Sequence, residues 1–236
     1  MTAPLSGPVQ AVRVELYAPV ASFRDPLFPG LTRCLPVPPP STVRGMLAAA
    51  TGRAAEPVVF GMAAWAEGHG VDTETYHPIA ADGSLPASGG RVRFGKGGAT
   101  AKDRPFLAGV HLTLWLPEPD GERVAAALRR PVHALRLGRS QDLVHPVGAG
   151  EVTLVPAATA LVGHALAPPG GHELPQAHLH RLARTTSADR LTTTWADHLW
   201  CDEPARTPVA VHGAYREAPA HDHIPEDTQA VWLLTS

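Results

Sequence analysis

The sequence contains little cysteine, little lysine and little charge overall. Two cysteines in 236 residues, far apart in the chain, imply no disulfide framework; a single disulfide is possible, but we expect the reduced thiols of a cytoplasmic protein. Charged residues make up 18% of the chain, below the ~25% of an ordinary globular domain. The low charge predicts that part of the surface faces other molecules rather than water.

Long apolar runs and a secretory leader pattern are also missing. The first ten residues, MTAPLSGPVQ, show no leader pattern, and no apolar run is long enough to span a bilayer. We therefore expect a cytoplasmic protein that makes no membrane contact.

The formal net charge is −2, which excludes a uniformly basic nucleic-acid binder. The 25 prolines and 22 glycines predict many turns, but their content stays below that of low-complexity sequence. A chain of this length forms one large domain or two small ones with a substantial core.

Alternating apolar residues predict strands in the first part of the chain. Residues 9–17 place three apolar side chains on one face, and residues 106–116 alternate even more strongly. Residues 133–143 are typical of a strand followed by a turn at Gly138.

Helical spacing predicts three helices. The first follows the proline-rich run PVPPP, with Ser41 as its N-cap and Gly52 at its end. A short second helix is predicted over residues 58–66. The third covers residues 121–130, is capped by Asp120 and ends before Pro131.

The order of these elements favours an α+β fold. Strand, helix, basic insertion, strand, helix and strand follow one another, which predicts a ferredoxin-like, RNA-recognition-type core over residues 1–149. We expect residues 150–236 to form a small C-terminal β region packed on this core. Its short strand candidates are 151–155, 178–185, 191–195, 208–212 and 229–234.

Residues 89–104, GGRVRFGKGGATAKDR, are the most basic segment. They contain five glycines and a single acid, Asp103, and predict a flexible basic hairpin that a phosphodiester strand can approach closely. The spacing fits neither a P-loop nor a dinucleotide-binding turn. An ordinary solvated loop remains the alternative. The basic residues are Arg91, Arg93, Lys96, Lys102 and Arg104.

A second basic segment is LRLGRS, which places Arg136 and Arg139 around Gly138. It lies in a stretch from residue 123 to 141 that holds five arginines and no acid. Solvated arginines on a helix and a strand are the alternative interpretation.

The histidines raise the question of a metal site, at His172, in HLH at 178–180 and in HDH at 221–223. No cysteine lies beside them, so solvated or packed histidines are favoured and no metal or cofactor is expected. No nucleophile motif is present. Acid–base cleavage of RNA would use residues such as Tyr17, Tyr76, His77 and Lys102, although their spacing does not require it.

Three ordered segments resemble one protein family. The run YAPVASFRDPLFPGLTRCLPVPPPSTVRGMLAAATG resembles the N-terminal signature of the Cas-five family of CRISPR-associated proteins. RPFLAGVHLTLWL and PVHALRLGRSQDLV resemble later segments of the same family, in the same order. The resemblance covers roughly residues 9–148 and is greatest to the type I-B-like branch.

The resemblance implies a modified RNA-recognition-type core with a projecting basic hairpin, the thumb, here at about 89–104. It implies a subunit at the foot of the Cascade surveillance complex that holds the 5′ handle of the guide RNA (crRNA). Such a subunit contacts the neighbouring backbone subunit and the large subunit, and contact with target DNA is left open. Splayed handle bases would stack on Phe23, Phe94 or Phe106.

The RNA-binding residues that follow from this resemblance and from the basic segments lie in three parts of the chain. They are Arg24, Ser41, Thr42, Arg44, Arg91, Arg93, Lys96, Lys102, Arg104, Arg136, Gly138, Arg139 and Ser140.

One branch of the family cleaves precursor guide RNA with a tyrosine, a lysine and a histidine. Here Lys102 is followed by Asp103, and the thumb region has no Lys-His pair. We therefore expect a non-catalytic binder, with a metal-independent endoribonuclease as the alternative.

Overall fold

The computed structural model describes residues 7–28, 32–76, 100–218 and 229–235. Within these ranges none of the helices is both long and apolar enough to cross a membrane. The elements in chain order are β1 (Val9–Ala21), α1 (Pro40–Thr51), β2 (Phe60–Tyr76), β3 (Thr100–Pro117), α2 (Gly121–Arg129), β4 (His145–Ala160), β5 (His178–Thr186), β6 (Thr193–Trp200), β7 (Val209–Glu217) and β8 (Leu233–Leu234).

The main sheet of the described residues has the strand order β7-β4-β1-β3-β2-β8, and every neighbouring pair is antiparallel. In its centre Val14 of β1 pairs with Leu114 of β3 on one side and with Ala149 of β4 on the other. Strands β5 and β6 form a separate antiparallel hairpin. The chain is thus a mostly antiparallel sheet with few helices, an α+β arrangement.

One face of the sheet carries the larger core. Val14, Leu16 and Leu114 are at most 1% exposed, because α1 and α2 cover this face. The alternation predicted for residues 9–17 and 106–116 is confirmed, since it separates this buried face from the opposite one. Burial of each such leucine contributes about 1.5–3 kcal/mol. The helices contribute Val43, Met46, Leu47, Val124 and Leu128 to the same core.

The C-terminal segments cover one end of the opposite face. Trp115 of β3 packs there with Tyr215 and Trp232, which are 3% and 2% exposed. The boundary predicted at residue 150 falls inside β4, which pairs with β1 on one side and β7 on the other. The other end of this face remains partly exposed at Trp65.

The helix predicted over residues 58–66 is wrong, because this segment opens β2. Its alanines and methionine favour a helix locally, but Phe60, Met62 and Ala64 alternate into the core under α1 and α2. Pairing with β3 on one side, and with β8 and residues 164–166 on the other, then satisfies its backbone.

The start of α1 also differs from the prediction. The N-cap is Pro39 and the first helical residue is Pro40, so Ser41 is not the cap. Proline is well suited to the first helical position, since its φ is already helical and its missing N–H has no partner there. The predicted end is confirmed: Gly52 has φ 72°, a left-handed conformation that favours glycine.

The segment predicted as a strand over residues 133–143 is a turn-rich loop. Its strand-like pairing in the described structure is a single bridge between Arg136 and Leu143. The predicted turn at Gly138 is confirmed, with φ 114°. The side-chain cap predicted at Asp120 is wrong: Asp120 occupies the N-cap position of α2, but its carboxylate accepts a 2.7 Å hydrogen bond from Arg123 and not from a helix N–H.

Candidate nucleic-acid interface

A cleft of about 1060 Å³ lies along α1. Its other walls are the segment over residues 53–57, the loop over residues 133–140 and the tip of the β5–β6 hairpin at residues 185–190. Two of the predicted basic or polar segments, far apart in sequence, therefore meet in one cavity. The predicted site residues that line it are Ser41, Thr42, Arg44, Arg136, Gly138, Arg139 and Ser140.

The walls of the cleft carry a net positive charge. Among the described residues the single carboxylate of the lining is Glu56, and Arg123 holds it with two hydrogen bonds of 2.9 and 3.0 Å. These hydrogen bonds lower the pKa of Glu56, which therefore stays ionised and paired. The lining arginines are Arg44, Arg53, Arg136, Arg139 and Arg190. Such a lining suits phosphate groups.

Two of these arginines are exposed and available. Neither Arg136 nor Arg190 has a side-chain hydrogen bond or ion pair within the described part of the chain. Arg190 has φ 61°, at the turn of the β5–β6 hairpin. The sequence patterns missed Arg190: the flanking strand candidates imply a turn there, but not that the turn reaches α1.

Arg44 does not have the exposed position expected of an RNA contact. It is 8% exposed, because it points from α1 toward the core. Its Nη1 donates to the Val58 carbonyl at 2.8 Å, its Nη2 donates to the Leu234 carbonyl at 3.4 Å, and its guanidinium lies 4.9 Å from the Phe60 ring centroid. Its side chain still lines the cleft floor.

Arg139 is also committed to internal partners. It is ion-paired with Glu74 at 2.9 Å, Asp72 at 3.4 Å and Asp142 at 3.1 Å, and its side chain is 9% exposed. Burial alone would lower the pKa of Arg139, but the hydrogen bonds to Asp142 and Glu74 raise it. Because Asp72 and Glu74 belong to β2, Arg139 ties the 133–140 loop to that strand.

The backbone of this loop is fixed by Asp142 and Gly138. Asp142 is 3% exposed and accepts hydrogen bonds from the backbone N–H groups of Ser22 and Arg139, at 3.0 and 2.9 Å. A Cβ atom on Gly138 would lie 2.8 Å from the Ser22 carbonyl oxygen, so no larger residue fits. The motif LGRSQD is thus a rigid loop locked against the end of β1.

The remaining predicted residues lie outside the cleft lining. Arg24 is exposed and forms a backbone bridge with Cys34. Lys102 and Arg104 belong to β3 rather than to a flexible loop, and Arg104 Nε donates to Ser22 Oγ at 3.0 Å. Several positions fall outside the described residues: Arg91, Arg93, Phe94, Lys96, His77 and the 221–223 histidine pair.

The described histidines divide between buried, half-buried and exposed positions. His172 and His198 are 3% and 5% exposed, and burial lowers the pKa of both. His180 pairs across the hairpin with His198. In the described part of the chain no group of three or more metal-ligating side chains comes together.

The partly exposed end of the sheet carries an aromatic cluster that the sequence patterns did not predict. Trp65 stacks on His111 with ring centroids 4.1 Å apart, and His111 Nε2 lies 2.8 Å from Glu67 Oε1. Tyr17 lies between His111 and His145, with centroid distances of 5.2 and 5.8 Å. The alternation predicts that Tyr17 and His111 each point away from the apolar face of their own strand. Only the register between β1 and β3 places the two residues opposite each other.

Comparison with known proteins points to one family. A family model described as CRISPR-associated protein (Cas_Cas5) matches residues 11–219. A search of curated proteins gives no match.

Two solved structures are similar over most of the chain. One is titled "CRISPR RNA-guided surveillance complex", with 19% identity, a TM-score of 0.52 and coverage of 85% of this chain and 90% of that one. The other is a CRISPR protein from Archaeoglobus fulgidus, with 12% identity, a TM-score of 0.48 and coverage of 96% and 99%. The first supports a shared fold, and the family model covers most of the sequence. The chain therefore belongs to the Cas5 family of CRISPR-associated proteins.

Proposed function

We propose that this protein is a non-catalytic subunit of a type I CRISPR surveillance complex, Cascade, and that it holds the 5′ handle of the crRNA. The observation that carries the proposal is the meeting of the PPPST helix start and the LGRS loop in one arginine-lined cleft. Family membership and the fold shared with a chain of a CRISPR RNA-guided surveillance complex support it.

The core of this subunit is proposed to be ferredoxin-like. The strand order β4-β1-β3-β2, with α1 after β1 and α2 after β3, supports this assignment. Residues 77–99 connect β2 to β3 and include Arg91, Arg93 and Lys96, so we assign the thumb to this connection. RNA held by the thumb would continue past Arg139, because Arg139 contacts β2 near the base of this connection.

The proposed protein partners are the neighbouring backbone subunit and the large subunit, and target DNA is a further candidate. Support comes from the low charge of the chain, 18%, and from apolar side chains left exposed next to the loop. Leu143 and Val147 are 57% and 59% exposed, which is typical of a surface that meets another protein.

The cleft is tested by changing its two available arginines. Replacing Arg136 and Arg190 together by alanine is expected to weaken crRNA binding by about 100-fold, since each lost charge-assisted contact to phosphate costs about 1.5 kcal/mol. The first measurement is the ratio of RNA to protein in the purified complex. The second is the dissociation constant from a titration of handle RNA onto the full chain.

The matched control replaces Arg129 and Arg130 by alanine. Both arginines are exposed, lie in the same acid-free stretch and are outside the cleft lining, so the charge change is equal. If the control variant and the cleft variant lose the same amount of RNA, the cleft is not the binding site.

The second candidate function is a metal-independent endoribonuclease. The observation in its favour is Tyr17 between His111 and His145, with Glu67 beside His111, which could supply an acid and a base. Lys102 is not part of this cluster, since it lies opposite Glu74 in the β2–β3 pairing.

We expect the lone protein to leave its own repeat RNA intact on incubation without metal. The measurement is a gel of end-labelled repeat RNA, with the Tyr17→Phe variant alongside. A single cut near the handle boundary that disappears in Tyr17→Phe would replace the non-catalytic proposal with the ribonuclease.

A further inference from the structure

Four aromatic side chains form one row across the open face of the main sheet. Trp65 of β2 lies opposite His111 of β3. On the next strands His111 lies opposite Tyr17 of β1, which itself lies opposite His145 of β4. The row points away from the helices, because Leu16, next to Tyr17, is buried under α1 and α2. Trp65 is 39% exposed and His145 is also exposed, so this aromatic row is an accessible surface.

Tyr17 is the ring of the row that can take a further aromatic group. His111 stacks on Trp65 at an interplanar angle of 5°, so the opposite face of the imidazole is turned toward Tyr17. The Tyr17 ring is tilted 65° from His111 and 70° from His145, and it therefore presents an edge to each imidazole. Its own faces then point toward the sheet and toward solvent. The outer face of Tyr17 is thus open to stacking.

A glycine of β3 helps to hold the row in this arrangement. Gly109 has φ 61°, and a Cβ atom there would lie 2.5 Å from Glu67 Oε2. The missing side chain leaves room for the Glu67 carboxylate, whose Oε1 lies 2.8 Å from His111 Nε2. This contact fixes the orientation of the imidazole beside Tyr17.

The charges beside the row do not suit phosphate groups. Arg13, on the same face of β1, is ion-paired with Glu15 at 2.7 Å and with Glu217 at 3.4 Å. The Glu67 side chain, 55% exposed, adds a carboxylate next to His111. Aromatic rings among carboxylates match the bases of a nucleic acid rather than its phosphates, since base stacking requires no cation.

The row is connected to the arginine-lined cleft by two short extended segments. One runs along β1 from Tyr17 to Ser22, whose backbone N–H donates to Asp142 at 3.0 Å and so anchors the LGRS loop. The other runs from Ser140, which lines the cleft, to His145 at the start of β4. An extended segment of about five residues spans roughly 17 Å. A single strand that leaves the cleft over the LGRS loop can therefore reach the row.

We infer that the aromatic row is a second RNA-contact surface, on which an unpaired base of the guide RNA stacks on the Tyr17 ring between His111 and His145. This inference rests on the proposed function, since the crRNA supplies the base. Unpaired RNA bases stack on aromatic side chains of an exposed sheet face, and such stacking tolerates every base. The row therefore adds affinity without sequence specificity, whereas the cleft binds phosphate groups.

The first experiment compares Tyr17→Leu with Tyr17→Phe in the full chain. The probes are a single-stranded uridine RNA about eight nucleotides long and an abasic strand with the same number of phosphates. The wild type and Tyr17→Phe are expected to bind the uridine strand about tenfold more tightly than the abasic strand, because one stacked base contributes affinity of this size. Tyr17→Leu is expected to lose most of this preference. Its salt dependence should be unchanged, because no phosphate contact is removed.

The matched control is Phe28→Leu, which removes an aromatic ring that is 41% exposed and lies outside both the row and the cleft lining. It is expected to keep the wild-type preference. A second measurement needs no variant: ultraviolet crosslinking of the wild-type complex to its own crRNA, followed by mass spectrometry. It is expected to give an RNA adduct on the β1 peptide that contains Tyr17, and adducts confined to the cleft would contradict the inference.

The remaining outcomes separate this inference from the proposed function. If folded Tyr17→Leu keeps the wild-type preference while the complex retains crRNA, the inference is overturned and the proposed function stands. If Tyr17→Leu binds RNA normally but releases another subunit from the complex, the row is a protein interface and the inference is again overturned. Loss of the preference in Tyr17→Phe would assign the effect to the hydroxyl group and not to stacking. If the wild-type complex contains no crRNA, the function itself fails.

Discussion

Replacing Arg91, Arg93 and Lys96 together by alanine is expected to abolish retention of crRNA in the purified complex. These residues are three of the five cations of the glycine-rich segment 89–104, whose glycines we expect to let the backbone approach a phosphodiester strand closely. Each contact to phosphate contributes about 1.5 kcal/mol, so losing all three weakens binding by about 1,000-fold or more. The measurement is the RNA content of the complex after size-exclusion chromatography.

The control for the thumb variant removes three charges elsewhere. Arg129, Arg130 and Arg206 are all exposed and lie outside the cleft lining. The salt dependence gives a second readout: for a single strand, losing three phosphate contacts lowers the slope of log K against log salt by about 2. A thumb variant that keeps its RNA and its salt slope would show that residues 89–104 do not bind the handle.

Asp142→Ala is expected to lower the free energy of unfolding by about 3 kcal/mol. Asp142 is 3% exposed and accepts hydrogen bonds from the backbone N–H of Ser22, the backbone N–H of Arg139 and the Arg139 guanidinium. Breaking a buried ion pair costs about 3–5 kcal/mol, and Glu74 keeps the loss near the lower limit by remaining bound to Arg139. Urea denaturation of the full chain measures the change.

An exposed ion pair provides the comparison. Asp197 lies 3.4 Å from Arg181, with side-chain exposures of 39% and 56%, so Asp197→Ala should cost no more than about 1 kcal/mol. The double variant Asp142→Ala with Arg139→Met should recover part of the loss, because no buried charge is left unpaired. Equal costs for Asp142→Ala and Asp197→Ala would mean that the loop is not locked as described.

The two sets of arginines have different tasks. Arg139 and Arg123 are each neutralised by carboxylates of the same chain, which shapes the loop and the cleft wall. Arg136 and Arg190 keep their charge available at the surface. A count of arginines along the sequence does not separate these groups, although only the second leaves its charge without a carboxylate partner among the described residues.

Most of the secondary structure was predictable wherever one face of an element is buried. β1 and β3 alternate and α1 repeats with helical spacing, because each covers the same core. The error at residues 58–66 arose because Ala-Ala and Met favour a helix locally, whereas pairing with β3 decides the outcome. The loop at 133–143 was predicted as a strand because its apolar residues alternate. Leu135 and Leu137 are indeed buried, but the segment has no strand partners on both sides.

The sequence by itself determined the family signature, the strands β1 and β3, the helices α1 and α2 and the location of the basic segments. Only the tertiary structure decided that the start of α1 and the LGRS loop share one cleft, and that Arg190 joins them. It also decided which arginines are available, because Arg44 is held by the carbonyl of Leu234 and Arg139 by Glu74. Such pairs lie far apart in the chain, and a local pattern carries no information about the partner that neutralises a charge.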